Sequence, residues 1–200
     1  MIAGIPALVI AMVGHEYAHA RVAVALGDFT PKLMGRLTLN PMSHIDPIGL
    51  LMMFLVHFGW AKPVSINPNN FKNPRRDDML VSFAGPAANF IIAFVAMFIL
   101  ALLLKLDLHL TSGTILVLNL IVIYNINFGI FNLIPLPPLD GSRIVMQLLP
   151  YELQLKYAEI SRFSFLIFLV IIMTPIVGWI LIPIQRIILN IYQLILFPLL

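Results

Sequence analysis

The chain has 200 residues, of which 60% are hydrophobic and only 10% charged, with a net charge of +3 and a mean hydropathy of +0.99. Charged residues make up about a quarter of an average soluble domain, so this composition excludes a soluble globular protein and predicts an integral membrane protein. The sequence contains no cysteine, which excludes disulfides and thiolate metal ligands, and its basic residues lie in a few loops, which gives no indication of nucleic-acid binding.

The first predicted element is a membrane helix over residues 1–26, which ends at Gly27-Asp28. At about 1.5 Å per residue this apolar run is long enough to cross a hydrocarbon core of ~30 Å. It lacks a basic start and carries polar residues at its centre, so we interpret it as mature structure and not as a signal peptide.

The polar residues of this helix form the pattern His15-Glu16-x-x-His19. Residues four apart lie on one face of a helix, so both imidazoles can bind one metal ion while Glu16 points at a water beside it. The alternative is that these ionisable groups serve helix packing or a proton path, because charged groups at membrane depth normally face the protein interior or a wet cavity.

Three different segments follow the first helix. Residues 28–47 are interrupted by proline and glycine and predict an irregular or β-like loop, in which residues 36–39 suit a strand. Residues 48–60 are apolar but too short for a confident span, which favours a re-entrant segment. Residues 61–78 are basic and predict a solvated loop on the cytoplasmic side.

The rest of the chain alternates apolar and polar segments. Residues 79–104 and 114–134 predict two spans, the second with a stripe of asparagines. Residues 142–162 predict a second cytoplasmic polar loop. Residues 164–182 predict a further span, and the apolar residues 184–200 could continue it as one kinked helix or return as a hairpin.

These elements predict an all-α polytopic membrane protein with about four to six membrane segments and a re-entrant or β-like loop after the first helix. Residues 1–200 form a single membrane domain, with a core over 1–145 and C-terminal helices over 160–200.

A catalytic zinc takes three protein ligands, and Asp140 is the natural third one. If residues 48–60 do not cross the membrane, the span 114–134 returns the chain to the cytoplasmic side, towards which the His15–His19 face points. If they do cross, this agreement weakens. The other acids suit the role less. Asp77 and Asp78 adjoin arginines and are predicted to be solvated, and Asp107 lies in the outer turn. Asp28 and Asp46 are loop residues, and Glu152 and Glu159 suit a solvated helix face.

The two motifs His15-Glu16-x-x-His19 and Asn132-x-x-Pro135-x-Pro137-Pro138-Leu139-Asp140-Gly141 lie in separate membrane segments. With them the chain resembles the site-2 protease family of intramembrane zinc metalloproteases, in particular its small prokaryotic branch without PDZ or CBS domains. The match extends over about residues 4–145 and includes four further motifs in the familiar order: Asn40-Pro41-x-x-His44-Ile45-Asp46-Pro47-x-Gly49, Phe58-Gly59-Trp60-Ala61-Lys62-Pro63-Val64, Asn73-Pro74-Arg75-Arg76 and Ala84-Gly85-Pro86-x-x-Asn89.

The resemblance implies a role for each matched residue. His15, His19 and Asp140 would bind one Zn²⁺ per chain, and Glu16 would be the general base and acid. Asn132 and the segment containing Pro135 and Pro137 would position an unwound substrate.

His44 lies in the branch-specific loop, where the family pattern assigns no role. Its chemistry suits substrate binding, because the imidazole could stabilise an oxyanion or guard access to the site. A hydrogen-bonded loop histidine fits the sequence equally well.

The implied function is hydrolysis of peptide bonds within or near transmembrane segments of membrane proteins. The partners would be a transmembrane protein substrate and the lipid bilayer, with no nucleic acid, and the sequence carries no signal for the oligomeric state. The localisation would be a prokaryotic cell membrane, with the active site towards the cytoplasm. The same buried polar residues would also suit an ion or proton transporter, or a non-catalytic scaffold that binds membrane helices.

Overall fold

The computed structural model describes residues 3–46, 48–49 and 62–199. Over these residues the regular structure is helical, in agreement with the predicted all-α class. The α-helices, in chain order, are α1 (Gly4–Ala25), α2 (Thr30–Leu33), α3 (Pro74–Lys105), α4 (Ser112–Asn132), α5 (Asp140–Leu148), α6 (Tyr151–Ser161), α7 (Ser164–Met173) and α8 (Ile176–Leu196).

Three of these helices, α3, α4 and α8, are long and apolar enough to cross a membrane. Helix α1 has the length, with 22 residues, but its central polar residues lower its hydropathy. The chain is an integral membrane protein, and the described residues contain fewer such helices than the predicted four to six. The predicted re-entrant segment at 48–60 lies almost entirely outside the described residues.

Helices α1, α3 and α4 pack against one another in pairs and form the centre of the fold. Helix α3 buries small or polar residues at intervals of three or four, including Ser82, Gly85, Asn89 and Ala93, and small residues allow close approach of membrane helices. A core cluster around Ile126 joins α3 to α4, and residues of α8 pack against it. Helix α5 packs on α3, which fixes the position of the chain just after α4.

The segment after α1, predicted as irregular or β-like, contains the short helix α2 and a 3-10 turn at Pro41–Ser43, and residues 36–39 do not form the expected strand. The loop folds back on itself instead, because the Arg36 guanidinium donates to the Ser43 carbonyl and the His44 ring donates to the Thr38 carbonyl. Asp28 fastens this region, since its carboxylate accepts hydrogen bonds from Thr30 and from the 67–70 segment.

Several predicted boundaries are wrong. Helix α3 begins at Pro74, inside the predicted basic loop, because proline is well suited to the first helical position. The predicted polar loop at 142–162 is largely helical, as α5 and α6. In the C-terminal region the break falls at Thr174-Pro175, and α8 continues through Pro183.

Candidate metal centre

Three side chains from two separate elements converge on one point. His15 and His19 lie one turn apart on α1, both buried, and Asp140 is the first residue of α5. The Asp140 Oδ2 atom lies 3.0 Å from His15 Nε2 and 3.1 Å from His19 Nε2, and the two Nε2 atoms are 3.0 Å apart. Within the part of the chain that the structure describes, this is the one group of three such side chains able to hold a metal ion.

The spacing of these atoms fits a tetrahedral metal. Zinc binds histidine nitrogen and carboxylate oxygen at about 2.0–2.2 Å, which places neighbouring ligand atoms about 3.3 Å apart. The observed separations of 3.0–3.1 Å are close to that edge length. Three ligands of this kind leave a fourth position for water, as in catalytic zinc sites.

The tautomer of each ring in its neutral form follows from its outer hydrogen bond. His19 Nδ1 lies 2.7 Å from the Val81 carbonyl, which can only accept, so Nδ1 carries the proton and Nε2 is a bare acceptor. His15 Nδ1 lies 2.8 Å from Asn89 Oδ1 and donates to it. The amide group of Asn89 is oriented this way because its nitrogen donates to the Ala11 carbonyl. His15 Nε2 is therefore also a bare acceptor.

With both rings neutral, two imidazole lone pairs and one carboxylate oxygen face one another at hydrogen-bond distance. A shared cation removes the repulsion between these three acceptors, so the donor set itself fits a metal. Partners that hold the outer ring nitrogen are typical of metal-binding histidines.

The partner of His15 is held in turn by a second asparagine. The Asn89 amide also donates to Asn125 Oδ1 at 3.0 Å, and Asn125 donates to the Ile121 carbonyl at 2.9 Å. Both asparagines are fully buried, and together they link α1, α3 and α4 at the level of His15. The asparagines of α4 were expected as a polar stripe, but the support of His15 by Asn89 was missed.

Gly85 provides the space for the two imidazoles. A Cβ atom at this position would lie 2.5 Å from His19 Nε2 and 2.6 Å from His15 Cε1, whereas ordinary van der Waals contact begins near 3.4 Å. The Ala84-Gly85-Pro86-x-x-Asn89 motif is the sequence signal for Gly85 and Asn89, although helix packing explains the motif equally well in the sequence alone.

Asp140 is positioned by contacts between α5 and α3. Asp78 accepts from Arg143 at 2.6 Å and from Gln147 at 2.9 Å, so one buried carboxylate holds two residues of α5. Arg75 donates to the Leu149 carbonyl just beyond that helix. The prediction that Asp77 and Asp78 are solvated is wrong, because both lie on the buried face of α3.

Glu16 lies beside the cluster on α1 and is also buried. Its Oε2 atom accepts a hydrogen bond from the Val64 amide at 2.9 Å. Among the described residues this is its one hydrogen-bond partner, so the second carboxylate oxygen remains available.

Among the described residues, the predicted substrate-binding residues make no hydrogen bond to the cluster. The Asn132 amide donates to Phe128 in its own helix. The exposed Pro135 accepts from Tyr157 through its carbonyl, and Pro137 precedes a cis peptide bond to Pro138. His44 is fully buried in the loop after α1, which agrees with the expectation of a hydrogen-bonded loop histidine.

Comparison with known proteins gives one family and several relatives. The family model described as Peptidase family M50 matches residues 103–175, a region that includes Asp140. A Bacillus subtilis protein named "Putative zinc metalloprotease YwhC" is 39% identical over 180 residues, covering 88% of this chain and 82% of the relative.

Two mycobacterial proteins named "Putative zinc metalloprotease Rip2" are 30% identical. The relative in Mycolicibacterium smegmatis is matched over 80% of this chain and 62% of its own length, and the one in Mycobacterium tuberculosis over 82% and 64%. The chain therefore spans a little under two thirds of these two relatives. No solved structure matches.

Proposed function

Since the chain belongs to peptidase family M50, the site-2 protease family of zinc metalloproteases, we propose that it is an intramembrane endopeptidase. Its substrates would be transmembrane proteins, which it would cut within or near their membrane segments. The observation that carries this proposal is the convergence of His15, His19 and Asp140, with Glu16 one residue from the first ligand.

One Zn²⁺ per chain would be held by the two Nε2 atoms and by Asp140 Oδ2. When bound, zinc supplies Lewis-acid activation of a water molecule and of the scissile carbonyl. The hydrogen bonds from His15 to Asn89 and from His19 to Val81 keep both rings in the tautomer that can bind the ion.

Glu16 moves the proton during the reaction. Its carboxylate accepts a proton from the attacking water as the water oxygen bonds to the peptide carbon, and it then delivers that proton to the leaving nitrogen as the C–N bond breaks. The Val64 amide fixes one carboxylate oxygen at 2.9 Å, which leaves the other free for this transfer.

The substrate must lose helical structure before it can react, because the carbonyls of a helix are already engaged in hydrogen bonds. Asn132 ends α4, and residues 133–139 separate α4 from α5 directly before Asp140. We assign Asn132, Pro135 and Pro137 to the positioning of the unwound segment. His44, buried against the Thr38 carbonyl, is assigned to the shape of the loop after α1.

The basic residues support an orientation with the metal centre towards the cytoplasm of a prokaryotic cell. Lys72, Arg75 and Arg76 precede the apolar part of α3, and Lys156 and Arg162 follow α5. Positive charge concentrates on the cytoplasmic side of membrane proteins, and Asp140 starts the helix between these two groups.

The test is Glu16→Gln, with Glu152→Gln as the matched control on an exposed helix. Glu16→Gln keeps the size of the side chain and removes the base, so we expect one bound zinc per chain and no cleavage of a model transmembrane substrate in detergent. Glu152→Gln should retain both. A Glu16→Gln variant that cuts near the wild-type rate would refute the role of the base.

A further inference from the structure

A basic cleft lies where the start of α3 meets the end of α5. It has a volume of about 660 Å³, and its walls include Lys72, Arg75 and Arg76 together with the apolar side chains of Met79 and Leu148. Among the described residues that line it there is no carboxylate. Three cationic side chains therefore line a space that the described part of the chain leaves open.

No acidic side chain of the described residues forms an ion pair with the cations of this cleft. Arg75 donates to the backbone carbonyls of Gln147 and Leu149, which carry no charge. Lys72 and Arg76 are exposed and have no ion pair or hydrogen bond within the described ranges. The two acids that follow in sequence are turned elsewhere, since Asp77 accepts from the Asn73 amide and Asp78 binds Arg143.

The cleft also lies next to the apolar part of a membrane helix. Helix α3 has 32 residues, which gives about 48 Å at 1.5 Å per residue, whereas the hydrocarbon core is about 30 Å thick. The charged residues 75–78 occupy its first turn, and the apolar sequence begins at Met79. One helical turn is about 5 Å, comparable to the thickness of the headgroup layer on one side.

We propose that this cleft binds the phosphate group of an acidic phospholipid. Lys72 and Arg76 would contact the phosphate oxygens, and Met79 and Leu148 would contact the first carbons of the lipid chains. Phosphate on its own could also come from solution. The apolar walls and the adjacent hydrocarbon favour the lipid as its source.

The experiment compares lipid binding to the purified full chain by native mass spectrometry, with phosphatidylglycerol, phosphatidylcholine and inorganic phosphate as probes. The test variant is Lys72→Gln with Arg76→Gln, which spares the hydrogen bonds of Arg75. The control is Lys156→Gln with Arg162→Gln, which removes two exposed charges from α6 and its end. The test variant loses two cations that line the cleft, at about a factor of five each, so it should bind phosphatidylglycerol about 30-fold more weakly. The control loses two charges outside the cleft and should bind this lipid as tightly as the wild type.

The wild type alone already tests the proposal, because phosphatidylglycerol should bind at least tenfold more tightly than phosphatidylcholine. Equal binding of the two lipids would overturn the proposal, as would an equal loss in the control variant or no loss in the test variant. If inorganic phosphate displaced phosphatidylglycerol at equal concentration, the lipid would be overturned as the source of the phosphate. Catalytic activity enters none of these measurements.

Discussion

Gly85→Ala tests whether the close approach of α3 to the two imidazoles shapes the metal centre. The added methyl carbon would lie 2.5 Å from His19 Nε2 and 2.6 Å from His15 Cε1. Ordinary contact requires about 3.4 Å, so ring or helix must move by about 0.9 Å. The rings are held by Asn89 and Val81 on the same helix, so they cannot withdraw without losing these hydrogen bonds.

The expected result is a weaker metal centre in a folded protein. Disturbing the groups around a metal-binding histidine typically costs 10- to 100-fold in affinity, about 1.4–2.7 kcal/mol. The measurement is competition for zinc with a chromophoric chelator in detergent. Gly178→Ala in α8 is the control, because the one atom of the described residues within 4 Å of its Cβ would be Ile182 Cδ1, at 3.9 Å. Both variants gain the same helix propensity.

If Gly85→Ala binds zinc as tightly as Gly178→Ala, the close approach of α3 does not shape the metal centre. Loss of folding in Gly85→Ala alone would be visible as a lower Tm of the zinc-free protein. We expect the zinc-free Tm of Gly85→Ala to be close to that of Gly178→Ala. Adding zinc should raise the Tm of Gly85→Ala by less than it raises the Tm of the control.

Three further predictions concern other residues around the site. Asn89→Ala removes the partner of His15 Nδ1, and zinc affinity should fall about 10- to 100-fold in the same competition assay. Arg143→Gln leaves the Asp78 carboxylate without its ion pair, and the free energy of unfolding should fall by about 1–2 kcal/mol. Burial opposes ionisation of Asp28, but hydrogen bonds outweigh it and lower its pKa, so Asp28→Asn should flatten the dependence of stability on pH below about pH 4.

The sign of the Asp28 prediction follows from linkage. A pKa that is lower in the folded state stabilises the protein above the ordinary pKa, and this stabilisation is lost as the pH falls through the folded value. Equally steep curves for Asp28→Asn and wild type would contradict it. Each variant has a matched control that should resemble wild type. Asn119→Ala, whose amide donates to a carbonyl of its own helix α4, is the control for Asn89→Ala. Arg162→Gln is the control for Arg143→Gln, and Glu159→Gln is the control for Asp28→Asn.

The sequence predicted which side chains form the cluster better than it predicted the residues that hold them in place. The pattern His15-Glu16-x-x-His19 on one helix marked three of the four residues. Asp140 was chosen from the direction of successive spans on the condition that residues 48–60 do not cross the membrane, and these residues lie almost entirely outside the described part of the chain. Asn89 and Gly85 act across the contact between α1 and α3, 74 residues away from His15 in the case of Asn89. The small and polar residues of α3 mark its buried face, but they do not show that this face meets α1 at the level of His15.

The errors about Asp77 and Asp78 have a related cause. Their neighbours Arg75 and Arg76 suggest a solvated cluster, but the helix already begins at Pro74 and turns both acids towards the interior. The true partner of Asp78 is Arg143, 65 residues away. The C-terminal break was misplaced because Pro175 and Pro183 are equally strong signals in the sequence, and packing of α8 on α4 decides between them.

The most direct test of the central claim is zinc analysis of the purified wild type, His15→Ala and Asp140→Ala. The account predicts one zinc per wild-type chain, loss of tightly bound zinc in His15→Ala, and greatly weakened binding in Asp140→Ala. If Asp140→Ala bound zinc as tightly as wild type, the convergence of α1 and α5 on one metal ion would be contradicted.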